Sequence, residues 1–189
     1  MVGAPVTLHD IGQKHGTDKA THHRYCDFYG HRLPGRCFTG RLLEIGIMSG
    51  ASLRMWSEYY PDAEIVGIDI FDKSDLDLPE NVSVIHGDAT NHHVLQPLGE
   101  FDIIVDDGSH LASDQQVSFL WLFYNQLSDN GIYILEDLHT SLPEYPGNYI
   151  DSKVLPIEML DRQGVDFDLF RRSADEADSI TAVIFKGNR

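Results

Sequence analysis

Apolar residues in this chain come in short blocks that end in polar or acidic residues, and the blocks alternate with stretches of helical spacing. Residues 41–45 read as a buried strand, followed by a glycine-rich turn and a helix over about 52–60 that Pro61 stops. In that helix Leu53, Trp56 and Tyr60 fall three and four apart and give one apolar face. A second strand over 63–70 carries Asp69 at its end and completes a βαβ unit. An acidic loop over 71–81 leads to a third strand over 82–85, which closes on His86-Gly87-Asp88, and 91–98 reads as a short helix.

The fourth strand is Phe101-Asp102-Ile103-Ile104-Val105, and it stops abruptly in Asp106-Asp107-Gly108-Ser109-His110. Residues 112–127 predict a helix with Val117, Leu120, Phe123 and Leu127 on its inner face, and Asp129-Asn130-Gly131 is a turn signal. The fifth strand, 131–135, ends in Glu136-Asp137-Leu138-His139. Two prolines and a glycine rule out a regular element over 142–147. Residues 153–163 then predict a helix, and 166–172 and 180–185 predict strands.

Such alternation predicts an α/β fold, a doubly wound Rossmann-like sheet, mostly parallel. The length of 189 residues fits a single domain, with an N-terminal helical segment over 1–36 and a core over 37–189. The N-terminal segment is polar and holds His9, His15, His22, His23 and His31 with Tyr25, Phe28 and Tyr29. Gly16-Thr17-Asp18-Lys19 is a turn into a helix capped by Thr17 or Asp18. Two readings compete for the segment: a solvated helix on the sheet edge, or a lid over the site. Its histidines show no convincing ligand pair at i, i+4 spacing.

Charge narrows the partners. With 14 basic against 30 acidic residues the net charge is -16, which disfavours nucleic acid and anionic membrane surfaces. No apolar run approaches the roughly 20 residues of a membrane span. Residues 1–10 lack a basic and an apolar region, so no signal peptide is expected. Cys26 and Cys37 have no CxxC spacing and form no disulfide framework, which reads as reduced thiols in a cytoplasmic protein, with a single disulfide as the alternative.

The chemistry gathers at strand tips, where open α/β sheets bind ligands. The two acidic tips aim four carboxylates, Asp106, Asp107, Glu136 and Asp137, with His110 and His139, into one crevice. The first turn, Glu44-x-Gly46-x-x-x-Gly50, is not the G-x-G-x-x-G of dinucleotide folds, which speaks against a dinucleotide oxidoreductase. Alone it is a weak signal, because any tight βα turn favours glycine. Asp69 can accept from both hydroxyls of a ribose, and Asp88 is placed to meet a base edge.

Glu44, Gly46, Gly50, Asp69 and Asp88 together resemble the motifs of class I S-adenosylmethionine-dependent methyltransferases. Asp106-Asp107-Gly108-Ser109-His110 and Glu136-Asp137-Leu138-His139-Thr140-Ser141 resemble more narrowly the metal-dependent sugar O-methyltransferases of natural-product biosynthesis, the macrocin and mycinamicin type. Gly16-Thr17-Asp18-Lys19 and Met55-Trp56 fit that family too. The resemblance implies S-adenosyl-L-methionine as cofactor and Mg²⁺, or another divalent cation, held by Asp107, Glu136 and Asp137. It also implies His110 as general base, a small glycosylated acceptor and a homo-oligomer. Asp106 is grouped with the cofactor contacts, although its role is left open between shielding its neighbour, contacting the methionyl moiety and bonding the turn. The segment over 142–151 is shorter than the family pattern. Two other functions stay open at this point: methylation of a catechol-like diol, and a non-catalytic cofactor- or metal-binding module.

Overall fold

In the computed structural model, which describes residues 6–172 and 179–187, seven strands form one sheet in the order β3-β2-β1-β4-β5-β7-β6. The strands are β1 (Arg41–Ile45), β2 (Glu64–Asp69), β3 (Val82–His86), β4 (Phe101–Asp106), β5 (Leu127–Leu135), β6 (Asp166–Arg171) and β7 (Ile180–Phe185). β1 to β5 pair in parallel, whereas β7 runs antiparallel to both β5 and β6. The helices are α1 (Leu8–His15), α2 (Asp18–Thr21), α3 (Tyr25–Tyr29), α4 (Ala51–Tyr59), α5 (His92–Leu95), α6 (Ala112–Asn125) and α7 (Pro156–Gln163). The reading of residues 1–10 falls partly outside the described residues.

Strand alternation divides the interior in two. Leu42, Ile103, Val105, Ile132 and Ile134 pack with α1, α3 and α4 on one face. Leu43, Ile45, Ile104, Tyr133 and Leu135 pack with α6 and α7 on the other. Because the central strands are buried on both faces, they read as continuous apolar runs. The chain leaves β1 toward β2 on one side and later returns to β4 on the other. That reversal opens a crevice at the carboxyl ends of β1 and β4. Hydrogen bonds stitch the tips together just past the strands: Asp107 N–H donates to Ile45 O at 3.0 Å and Glu136 N–H to Asp106 O at 3.0 Å.

Three expectations need correction. The inner face of α6 is Gln115, Ser118, Phe119, Leu122 and Phe123, while Val117 and Leu120 are 46% and 38% exposed. Apolarity alone misplaced it, because the helix turns two polar residues toward the strand tips. Leu127 belongs to β5, and the turn over 129–131 is an irregularity within that strand, with Asn130 at φ 65°. Finally, the helix predicted over 153–163 starts only at Pro156, whose missing N–H suits a first-turn position. The α6 assignment has a simple test by denaturant unfolding. Phe119→Ala should cost about 3–5 kcal/mol and Leu120→Ala less than about 1 kcal/mol; equal losses would refute it.

Residues 6–36 do not form a solvated helix. Lys19, Tyr25 and Tyr29 are fully buried, and α1 and α3 join the core that holds α4.

Candidate active site at the strand tips

Gly46 makes the crevice possible. Its φ is +79°, its N–H donates to Ile68 O at 2.9 Å, and a Cβ there would lie 2.0 Å from Asp107 O. Gly50, at φ 74°, serves instead as the N-cap of α4. A cavity of about 630 Å³ opens above the tips, in the range of small-molecule sites. Gly46, Asp69, Asp88, Asp106, Asp107, His110 and Asp137 line it; Glu44, Gly50 and Glu136 are not among its lining residues. Ile70 and Phe71 give it an exposed apolar rim.

The acidic residues are held individually. Asp69 Oδ2 accepts from Ile47 N–H at 3.1 Å and Oδ1 from Phe71 N–H at 2.9 Å, which fixes the carboxylate on the Gly46 turn. Asp88 is exposed and accepts from Thr90 N–H at 2.8 Å. Asp106 turns toward α6, where it accepts from Ser118 Oγ and, at 2.8 Å, from Tyr133 OH. Burial pushes its carboxyl up to about 6, against those two donors.

Strand parity sends Glu44, Asp107 and Glu136 to the opposite face, where Lys19 meets them. Its ammonium donates to Asp107 Oδ2, to Glu136 Oε2 at 2.9 Å, and lies 3.4 Å from Glu44 Oε1. Glu136 Oε1 accepts from Tyr29 OH at 2.9 Å. Burial raises both Asp107 and Glu136, with Lys19 opposing; burial alone would lower Lys19, yet the three carboxylates hold it well above its usual value. Burial also works to raise Asp137, but His23, His110 and the Tyr25 hydroxyl keep it below the ordinary aspartate value. Tyr25 OH donates to Asp137 Oδ1 at 2.8 Å.

His110 Nε2 lies 3.7 Å from Asp137 Oδ2 and 4.0 Å from Asp107 Oδ1. Asp107, His110 and Asp137 each offer one ligand atom within 4.8 Å of the others. This is the group among the described residues that could hold a metal ion, and Glu136, expected as a ligand, is not in it. Lys19, Tyr25 and Tyr29 were missed from sequence. The available signal was the Gly16-Thr17-Asp18-Lys19 turn followed by tyrosines four apart.

Burial pushes the Glu44 carboxyl from 4.5 to about 7, opposed mainly by Lys19. A raised folded pKa gives stability that is present below the unfolded value and lost as pH rises through about 7. Glu44→Gln should therefore flatten the fall in stability between pH 5 and pH 8 by about 3 kcal/mol. An unchanged slope in urea titrations at the two pH values would contradict this.

The geometry can be set beside known proteins. No protein-family model matches the chain. An 8-demethyl-8-(2-methoxy-alpha-L-rhamnosyl)-tetracenomycin-C 3'-O-methyltransferase of Streptomyces olivaceus is 34% identical over 157 residues, 76% of this chain and 40% of its own length. A mycinamicin VI 2''-O-methyltransferase of Micromonospora griseorubida is 37% identical over 118 residues, 57% of this chain and 29% of its own. Among solved structures, the MycE methyltransferase of the mycinamycin biosynthetic pathway, in complex with Mg and SAH, superposes with a TM-score of 0.77 at 27% identity. That match covers 97% of this chain and 55% of MycE. The chain belongs to the natural-product sugar O-methyltransferase family. It spans less than half the length of the two relatives named first. A fibrillarin in its Nop5p complex, at 18% identity and a TM-score of 0.62 over 85% of this chain and 78% of its own, shares the fold alone. Among the described residues, no helix of this methyltransferase-family chain is long and apolar enough to cross a membrane.

Proposed function

We propose that the chain is an S-adenosylmethionine-dependent O-methyltransferase acting on a sugar hydroxyl of a glycosylated natural product. One observation carries the reading: a single cavity joins the Gly46 turn, Asp69 and Asp88 to the His110, Asp107 and Asp137 cluster. The first group is the nucleoside end. Asp69, already fixed by Ile47 and Phe71, presents its carboxylate to the ribose hydroxyls. Ile70 and Phe71 offer apolar surface to the base, with Asp88 at its edge.

The second group is the acceptor end. The sugar oxygen attacks the methyl carbon as the carbon–sulfur bond breaks, and S-adenosylhomocysteine leaves. Alignment of oxygen, carbon and sulfur can supply about 7–11 kcal/mol of the barrier. The hydroxyl proton passes to His110 Nε2, and the Asp137 and Asp107 carboxylates beside it stabilise the imidazolium. The free oxygens of Asp107 and Asp137 are hard donors that suit Mg²⁺, with Glu136 next to them. A bound divalent cation would acidify the acceptor hydroxyl.

The net charge of -16 supports a small-molecule acceptor over nucleic acid. Free thiols at Cys26 and Cys37 support the cytoplasm as its place of action. Calorimetry with S-adenosylmethionine is the first test, and absence of binding at millimolar concentration would end the reading. Transfer to glycosides should then stop in chelator and return with Mg²⁺. Catechols methylated in preference to glycosides would reassign the acceptor.

A further inference from the structure

We infer that Lys19 is a positioning residue: its ammonium is a built-in counter-cation that holds Glu136 and the inner oxygen of Asp107, so that the acidic site is assembled before any metal ion arrives. This rests on the metal-dependent reading above, and it adds a residue and a division of labour among the carboxylates.

Asp107 and Asp137 are split in the same way, and Glu136 is not. Asp107 gives Oδ2 to Lys19 and keeps Oδ1 toward His110. Asp137 gives Oδ1 to Tyr25 and keeps Oδ2 toward His110. Glu136 gives one oxygen to Lys19 and the other to Tyr29, so neither faces His110 without a donor already in place. The donors all come from α2 and α3, and the acceptors all come from the tips of β4 and β5. Tyr29 OH also lies 3.0 Å from Thr181 Oγ1 on β7, which locks that hydroxyl to the sheet.

The charge balance explains why a lysine is needed there. Glu44, Asp107 and Glu136 converge on Lys19; Glu44 and Glu136 are buried with it, and Asp107 reaches it from the cavity wall with 21% of its side chain exposed. Buried like charges this close are strongly unfavourable without a cation. In many metal sites the ion is that cation, and folding then depends on it. Here the chain supplies one positive charge itself, and the outer oxygens of Asp107 and Asp137 are left facing His110, in the group that could hold a divalent ion.

Lys19→Met keeps the length of the side chain and removes the charge. In chelator its Tm should fall by roughly 10 °C. Added Mg²⁺ should raise the variant's Tm more than that of the native chain, because the ion replaces the missing charge. Lys19→Met with Glu44→Gln should recover part of the loss in chelator, because one of the three uncompensated carboxylates is gone. If Lys19→Met does not fold, the double variant decides, with a folded double variant supporting the inference and an unfolded one overturning it. A native Tm for Lys19→Met in chelator would overturn it. So would a loss that neither Mg²⁺ nor Glu44→Gln reduces, since that is a packing defect. Calorimetry of Mg²⁺ with the native chain keeps the two readings apart. No ion binding there would end the metal reading, while the comparison of single and double variants in chelator still judges Lys19.

Discussion

His110→Asn is expected to lower kcat for methyl transfer by about 10²- to 10⁴-fold while S-adenosylmethionine still binds. Asparagine is the informative replacement because His110 has φ 60°, a left-handed conformation that asparagine tolerates and alanine does not. The change thus removes the proton acceptor and leaves the turn after β4 intact. His110 Nε2 lies near two carboxylates that are themselves fixed, so the imidazole has a defined place. Its Nδ1 has no hydrogen-bond partner among the described residues. Turnover measured with saturating cofactor, beside calorimetry with Mg²⁺, separates two roles. A base predicts lost kcat with Mg²⁺ affinity retained; a metal ligand predicts that affinity falls as well. Native turnover in the variant would remove His110 from the mechanism.

Gly46→Ala is expected to cost at least about 4 kcal/mol and to abolish cofactor binding. Two penalties add at this position. The backbone has φ +79°, and the new Cβ would lie 2.0 Å from Asp107 O and 2.8 Å from its carbonyl carbon. Neither atom is the end of a flexible side chain, so the tips of β1 and β4 must separate. That motion would strain the Asp107 N–H to Ile45 O bond and displace Asp107 from Lys19. Gly16→Ala is the control. Gly16 has φ +72° but open space around its Cβ position, so only the conformational cost of about 1–2 kcal/mol applies. Urea unfolding of both variants tests the difference, and a Gly46→Ala loss as small as that of Gly16→Ala would show that the tips part easily.

Much of the fold and the larger part of the site follow from the order of residues along the chain. The apolar runs of β1, β4 and β5 mark central strands, and the polar residues that end them mark the crevice. Period-two alternation goes further. Leu42 and Glu44 share a face of β1, Val105 and Asp107 share a face at β4, and Ile134 and Glu136 share a face at β5. Three acidic side chains are thereby committed to one side of the sheet, and Asp106 to the other, before any helix is packed.

The helices show how far local patterning reaches. On α6, apolar residues at 117 and 120 pointed outward, because Gln115 and Ser118 were needed at Glu136 O and Asp106. A hydrophobic count does not see a polar residue that is satisfied by a strand tip. The N-terminal segment shows the same limit. Its composition reads as solvated, yet Lys19, Tyr25 and Tyr29 are buried because their polar ends meet carboxylates more than 100 residues away in sequence.

What the sequence by itself determined, then, is the α/β alternation, the glycine turn and the faces on which Glu44, Asp106, Asp107 and Glu136 lie, since these depend on near neighbours and on the two-residue repeat of a strand; Asp137, at φ 55°, leaves that repeat. Only the tertiary structure decided which cation meets Glu44, Asp107 and Glu136, and which oxygens of Asp107 and Asp137 face His110. Charge compensation acts through space between distant segments, and no local period encodes it.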